Sequence, residues 1–402
     1  MAFNPFRERG IPIEKQLRNW QELNVLPYDK KAVHPYTRCR VILMNGIEAE
    51  GNWFSHQFAR HCEDLDLKRQ LALTRRIEQQ QQKTINWLAP ADESTLEMTI
   101  GYEQVAVDLT AYLASTEPDP YVKAVLDFAL LEDFDHLYRY ANLLEMAEGK
   151  KADQVTGQFT EITVGRPTAK EHRHPFDDVR RHYDRKTAHP LTQLHTLTIV
   201  AGEQQTMNFY MNVGNRPQEM VGRGLYLEIA QIEEQHVTHY ESLLDPGASW
   251  FERLLLHEYN EVYLYHSMME QEDHPRIRQI WETHLAQELE HLRLAGELLR
   301  RHEKKEPEEL LPAELPEPII FQSNIDYVRE IMARETSYNA FETEFLPPDK
   351  FPKDGRYGEY QNIVNADEVP SELVIQQHQQ QVGGEYRQEL RGPHPIEGFR
   401  MH

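Results

Sequence analysis

The segment QELEHLRLAGELL, residues 287–299, sets Glu288 and His291 three positions apart in a run whose leucines recur every three or four residues. On a helix that spacing puts acid and imidazole on one face, beside an apolar stripe that must be buried. EEQHVTHYESLL (233–244) repeats the pair as Glu233 and His236, and LEDFDHLYRYANLL (131–144) repeats it as Asp133 and His136. In a chain with 66 acids and 20 histidines, one such pair reads as a solvated face. Other acids change that reading. Glu103 precedes Asp133 by 30 residues, Glu203 precedes Glu233 by 30, and Glu258 precedes Glu288 by 30. Glu48 and Glu78 make a fourth set at the same spacing, with Gln81 where the histidine would stand. Thirty residues hold about 12 of helix on each side of a turn, so each set predicts a helical hairpin with its acids at one height.

The sets are related to one another by an offset of 155 residues, which carries Glu48 onto Glu203 and Glu103 onto Glu258. The same offset pairs Phe54 with Phe209, Ile77 with Ile232, Gln80 with Gln235, Leu137 with Leu292, and Leu143-Leu144 with Leu298-Leu299. The pattern predicts an internal duplication of a two-hairpin unit. The breakers APADEST (89–95), STEPDP (115–120), LDPGAS (244–249) and QEDHP (271–275) fall between the helical segments. They read as helix stops and N-caps. No alternating Val/Ile/Thr run of any length interrupts them, so the fold class is all-α. The expected division is a first repeat over 1–150, a linker over 151–190, a second repeat over 191–302, and an acidic linker with a C-terminal arm over 303–402. EHRHPFDDVRRHYDRK (171–186) is basic and His-rich; docking onto the acidic helices and a disordered linker are both open. DYVREIMARETSYNAFETEFL (326–346) is long enough for one more helix.

Composition narrows the function. A formal charge of −23 argues against nucleic-acid and anionic-membrane surfaces, which need a basic face. Two cysteines, Cys39 and Cys62, build neither a disulfide framework nor a thiolate metal site. With no apolar run approaching 18 residues and no leader-like start, the expectation is a soluble cytoplasmic protein.

One acid on a helix, acid-x-x-His on the next, and the pair repeated on a second hairpin resembles the ferritin-like di-iron carboxylate proteins, rubrerythrins among them. The resemblance covers residues 40–302. It implies four-helix bundles, two iron ions (or manganese) per intact site, and carboxylates with His Nδ1 atoms as their ligands. Carried over residue by residue, the ligands are Glu48, Glu78, Glu103, Asp133, His136, Glu203, Glu233, His236, Glu258, Glu288 and His291. The sequence departs from the family at Asp133, where Glu is usual, and at Gln81, where His is usual. A third departure is topological: only 25 residues separate Glu78 from Glu103 and Glu233 from Glu258, too few for a full-height crossover. Two pairings follow. In the exchanged one, the Glu103 and Glu203 hairpins form one bundle and the Glu258 and Glu48 hairpins the other; in the sequential one, neighbours pair. The exchanged form is preferred.

Carboxylates and imidazole suit iron(II) and manganese(II) better than zinc. The resulting expectation is a dinuclear oxidoreductase acting on O₂, peroxide or an organic substrate. A ferroxidase-like iron-handling protein and a helical scaffold with decayed sites are the alternatives. Lacking a rubredoxin-type module, the chain would need an external electron donor; a homo-oligomer is open. Asp135 and Glu290, each one residue before a histidine, read as solvated acids. Tyr102, Tyr210, Tyr259 and Tyr263 fall near the ligands and read first as core.

Overall fold

A computed structural model describes residues 3–352 and 355–400. Its helices in chain order begin with α1 (Trp20–Leu23), α2 (Pro35–Arg60), α3 (Leu65–Asn86), α4 (Thr95–Thr116) and α5 (Pro120–Glu148). Two short turns, α6 (Asp153–Thr156) and α7 (Thr168–Glu171), precede α8 (Pro190–Val213), α9 (Met220–Glu241), α10 (Trp250–Gln271) and α11 (Pro275–Glu303). Then come α12 (Ile325–Glu335), α13 (Arg356–Val364) and α14 (Pro370–Val382). Among the described residues the strands are β1 (Asn339–Phe341) and β2 (Glu344–Leu346), antiparallel with Ala340 opposite Phe345. The segment 326–346 thus holds the expected helix followed by a small hairpin.

The helix ends follow from local chemistry. Ser94 caps α4 and Ser249 caps α10, each in a reciprocal pair with the Glu three residues on, Glu97 and Glu252. Proline fills the first turn of α2, α5 and α11, where its missing N–H costs nothing. α5 stops at Gly149 with φ 65°, a left-handed cap that glycine adopts without strain.

The chain divides into two compact units: Met1–Asp92 with Tyr183–Ala201 and Leu244–Ile320, and Glu93–His182 with Gly202–Leu243 and Phe321–His402. The first unit therefore contains the α2–α3 and α10–α11 hairpins. The second contains α4–α5, α9 and α8 from Gly202 onward. This is the exchanged pairing, and it cuts across the sequential boundaries at 150, 190 and 302. The physical reason is the short 86–95 and 241–250 connections, which hold no crossover.

Two segments expected as linkers are packed instead. In the first unit residues 312–319 run along α10: Tyr259 donates to the Pro312 carbonyl at 3.0 Å, Tyr263 to Glu317 at 2.7 Å, and the Ile319 amide to Ser267 Oγ at 3.1 Å. In the second unit residues 160–180 lie on α5 through many buried polar groups, Thr168, Glu171 and Arg173 among them. The C-terminal arm also wraps. The α14 residue Ser371 bonds Glu228 of α9, and His378 reaches Glu145 of α5 at 2.8 Å. No helix among the described residues is long and apolar enough to cross a membrane.

Gly165 is where the 160–180 segment touches α5. A Cβ there would lie 2.9 Å from the Leu131 carbonyl and 2.9 Å from Phe134 Cδ1. Gly165→Ala is expected to lower stability by about 1–3 kcal/mol through overpacking. Gly202→Ala, whose Cβ would meet only Leu109 at 4.0 Å, should leave stability unchanged or raised. Denaturant midpoints of the two variants check this pair.

Candidate metal centres

In the second unit the four helices bring six side chains together. Asp133, Glu203, Glu233 and His236 form one buried group, and Glu103, His136 and Glu233 another, with ligand atoms of each group within 4.8 Å of one another. Glu233 belongs to both. Both imidazoles turn Nδ1 inward: His136 Nδ1 lies 3.2 Å from Glu233 Oε1, and His236 Nδ1 lies 3.2 Å from Asp133 Oδ1 and 3.3 Å from Glu233 Oε2.

The outward nitrogens are held by carboxylates that the sequence reading missed. His136 Nε2 sits 2.8 Å from Glu171 and His236 Nε2 sits 2.9 Å from Glu132. Such a partner fixes the tautomer and leaves Nδ1 free as a donor to a metal. Glu132 is itself clamped by Arg173 at 2.8 and 3.1 Å, and by Arg166 at 3.4 Å. Asp135 is no solvated acid. Fully buried, it accepts from the Gly165 amide at 3.0 Å, from Thr168 at 2.8 and 2.6 Å, and from Arg139 at 2.8 Å. It docks the segment that delivers Glu171. Its counterpart Glu290 pairs with Arg293 on α11.

The first unit gathers Glu78, Glu258 and His291 in one group and Glu48, Glu261 and Glu288 in another. Glu261 was not foreseen; it lies one turn after Glu258, so the signal was an acid-x-x-acid pair on α10. Gln81 donates from Nε2 to Glu288 Oε1 at 2.5 Å. His291 again turns Nδ1 inward, 3.0 Å from Glu288, while its Nε2 meets Gln16 Oε1 at 2.8 Å.

Gln16 and Glu171 are 155 residues apart, and the coincidence extends through their surroundings. GIPIEKQLR (10–18) and GRPTAKEHR (165–173) share Gly, Pro, Lys and Arg at matching positions. A Cβ on Gly10 would stand 2.4 Å from the Glu290 amide, as close an approach to α11 as Gly165 makes to α5. The Arg18 amide donates to Gln80 Oε1 at 2.9 Å, and the Arg173 amide to Gln235 Oε1 at 3.0 Å. The 155-residue offset thus extends beyond the hairpins to Gln16 and Glu171, the partners of His291 and His136.

Several buried oxygens in these groups accept no hydrogen bond: both of Asp133, Glu203 and Glu233, and one each of Glu48, Glu78, Glu103, Glu258 and Glu261. Carboxylates buried without donors are costly, and a cation is the usual remedy. Without one, burial pushes Glu48, Glu103, Glu203, Glu258 and Glu261 above their ordinary range. Burial pushes Glu233 up too, but the His136 and His236 imidazoles outweigh it and hold the carboxyl down at about 2.

Of the four tyrosines singled out, Tyr210 reaches a candidate ligand, donating to Glu103 Oε1. Tyr102 stacks on Phe209 at 4.3 Å, and Tyr259 and Tyr263 hold the 312–319 segment. Tyr265, which was not considered, donates to Glu48. Like Tyr210, it stands two helical turns after its own helix's acid.

A cavity of about 260 Å³ in the first unit is lined by Leu71, Thr74, Leu254 and Leu298, and reaches Glu78, Glu258 and His291. Exposed Gln70 and Arg301 stand at its rim. The cavity beside Tyr210 in the second unit is lined by none of that unit's candidate ligands. Comparison with protein-family models, curated proteins and solved structures finds no match for the chain.

Burial first of all raises Glu78 to about 7, and His291 is raised by Glu288 against its own burial. Both groups then hold a proton in the folded chain that the unfolded chain has released, so stability is lost as pH rises through the folded values. The melting temperature of chelator-treated protein should fall between about pH 5 and 7, and fall less in Glu78→Gln. Calorimetric scans across that range test the sign.

Proposed function

We propose that the chain is a dinuclear metal–carboxylate oxidoreductase, with iron as the metal and O₂ or peroxide as the oxidant. The observation that carries this is Glu233: both its oxygens lack hydrogen bonds, and it is common to two groups that each add an inward-facing imidazole Nδ1. A carboxylate shared in that way suits two adjacent cations, and the donor chemistry of oxygen with imidazole suits iron(II) or manganese(II). Glu103, Asp133, His136, Glu203, Glu233 and His236 would hold one pair. Glu48, Glu78, Glu258, Glu261, Glu288 and His291 would hold the other. Bound iron supplies the two electrons that reduction of O₂ or peroxide requires.

The chain's own residues supply the rest. Glu132, Glu171 and Gln16 hold the imidazoles in the ligating orientation, while Tyr210 and Tyr265 steady the two carboxylates that they touch. The cavity beside Glu78 gives a small apolar molecule a route to the first centre, which favours an oxidoreductase over an iron-handling protein. Neither Cys39 nor Cys62 is in a disulfide, in keeping with a reducing compartment, the cytoplasm, and two cysteines make no rubredoxin-type module, so electrons would come from a separate donor.

Protein loaded anaerobically with iron(II) should consume O₂ or peroxide when exposed to it. In protein whose second centre is disabled by Glu203→Ala, Leu298→Trp, which fills the cavity, is expected to slow uptake by at least about tenfold at unchanged iron content. Iron-loaded protein that consumes neither oxidant would overturn the proposal.

A further inference from the structure

At the Gln81 corner of the first unit, four positions differ together from their counterparts 155 residues away. The second unit has His236, Ala106, Thr206 and Glu132; the first has Gln81, Glu261, Gly51 and Gln287. These exchanges are linked in space. With Gln81 in place of an imidazole there is no ring nitrogen to orient, and Gln287, standing where Glu132 stands, keeps only the arginine contact, accepting from Arg18 as Glu132 accepts from Arg173. Glu261 brings a carboxylate into the group formed with Glu48 and Glu288. Gly51 makes the room: a Cβ there would lie 2.6 Å from Glu261 Oε1. A donor lost on α3 is thus replaced by one on α10, and a side chain on α2 is removed to admit it.

The replacement is a different kind of donor. Glu48, Glu261, Glu288 and Gln81 offer oxygen, apart from the Gln81 amide nitrogen that is engaged on Glu288. Gln81 is fully buried and its Oε1 has no hydrogen-bond partner, nor have Glu48 Oε2 and Glu261 Oε2. These unpartnered atoms, buried in one place, mark a cation position and not merely a cluster of acids. The neighbouring position, Glu78 with Glu258 and His291, keeps its imidazole. Oxygen-only sites suit harder ions such as Mn(II), whereas imidazole shifts preference toward iron and later metals.

We propose that the first unit is a mixed-metal centre, in which Glu48, Glu261, Glu288 and the Gln81 carbonyl form an oxygen-only position that admits Mn(II) beside an iron(II) ion at Glu78, Glu258 and His291. The proposal rests on the dinuclear reading above and assigns Glu261 as a ligand and Gly51 as the residue that gives it space. Of the candidate positions in the chain, this one discriminates least against Mn(II).

The test uses full-length protein carrying Glu203→Ala to disable the second unit, stripped with chelator and reloaded anaerobically from Fe(II) with an increasing excess of Mn(II). Metal analysis and low-temperature electron paramagnetic resonance of Mn(II) are read per chain. The expected result is that about one Mn(II) enters while about one iron stays, and that Glu261→Gln removes the Mn(II) but not the iron. Gln81→His with Glu261→Ala restores the second unit's donors and should lower the Mn:Fe ratio by at least about threefold. This variant gains a ligand, so the outcome does not depend on tolerance of a loss. An unchanged ratio in that double variant, with both ions bound, would overturn the mixed-metal proposal alone. No metal bound in the first unit under any loading would overturn it together with the dinuclear reading.

Discussion

The structure depends on one constraint: carboxylates placed at the middle of helices, out of water, have to be answered by positive charge. Asp133, Glu203 and Glu233 have buried oxygens with no hydrogen-bond donor, and only two imidazoles face them. An isolated ionised carboxylate in such a place is too costly to keep, so it either takes up a proton or meets a cation. Elsewhere in the same unit the chain shows the other remedy. Glu132 is equally buried and is surrounded by Arg173, Arg166 and His236. Arginine is withheld from the inner group and supplied to its neighbour, which is the arrangement expected where something else is meant to bind.

Orientation of the imidazoles is the second requirement, and the fold meets it twice in one way. A segment outside the hairpins docks through a glycine that lies against the acid-and-histidine helix, then runs six residues to a side chain that reaches His Nε2. Gly10 leads to Gln16 and His291; Gly165 leads to Glu171 and His136. Recurrence of these contacts 155 residues apart is what an internal duplication would leave, and it reaches beyond the hairpins. The difference between Gln16 and Glu171 leaves one imidazole with a neutral partner and the other with a carboxylate. Ions held by the two groups would accordingly be tuned differently by the residues behind the imidazoles.

Much of this was legible in the sequence because helical hairpins with acids at fixed spacing leave a periodic record. The 30-residue and 155-residue intervals located the acids and histidines that the structure groups, Glu261 excepted. The 25-residue gaps argued for the exchanged pairing, since chain length limits what a connection can span. What escaped notice has physical causes. Glu132, Glu171 and Gln16 act from non-periodic positions, two of them in irregular segments, where no helix face can be read. Asp135 looked like a solvated acid because its partners Gly165 and Thr168 come from the segment at the start of the short α7, outside the hairpins. Glu261 looked like one more acid on an acidic chain, and only the space at Gly51 shows what its carboxylate faces. The 303–318 run resembled a linker by composition, and the tyrosines of α10 that bind its carbonyls gave no sign of doing so.

The most direct measurement is the metal content of protein purified without chelator, expressed per chain and repeated for Glu203→Ala and Glu258→Ala. About four ions per chain are expected, falling to about two in either variant as one centre is lost while the other survives. A content near zero that persists after anaerobic loading would contradict the account, leaving the buried carboxylates protonated in a helical scaffold.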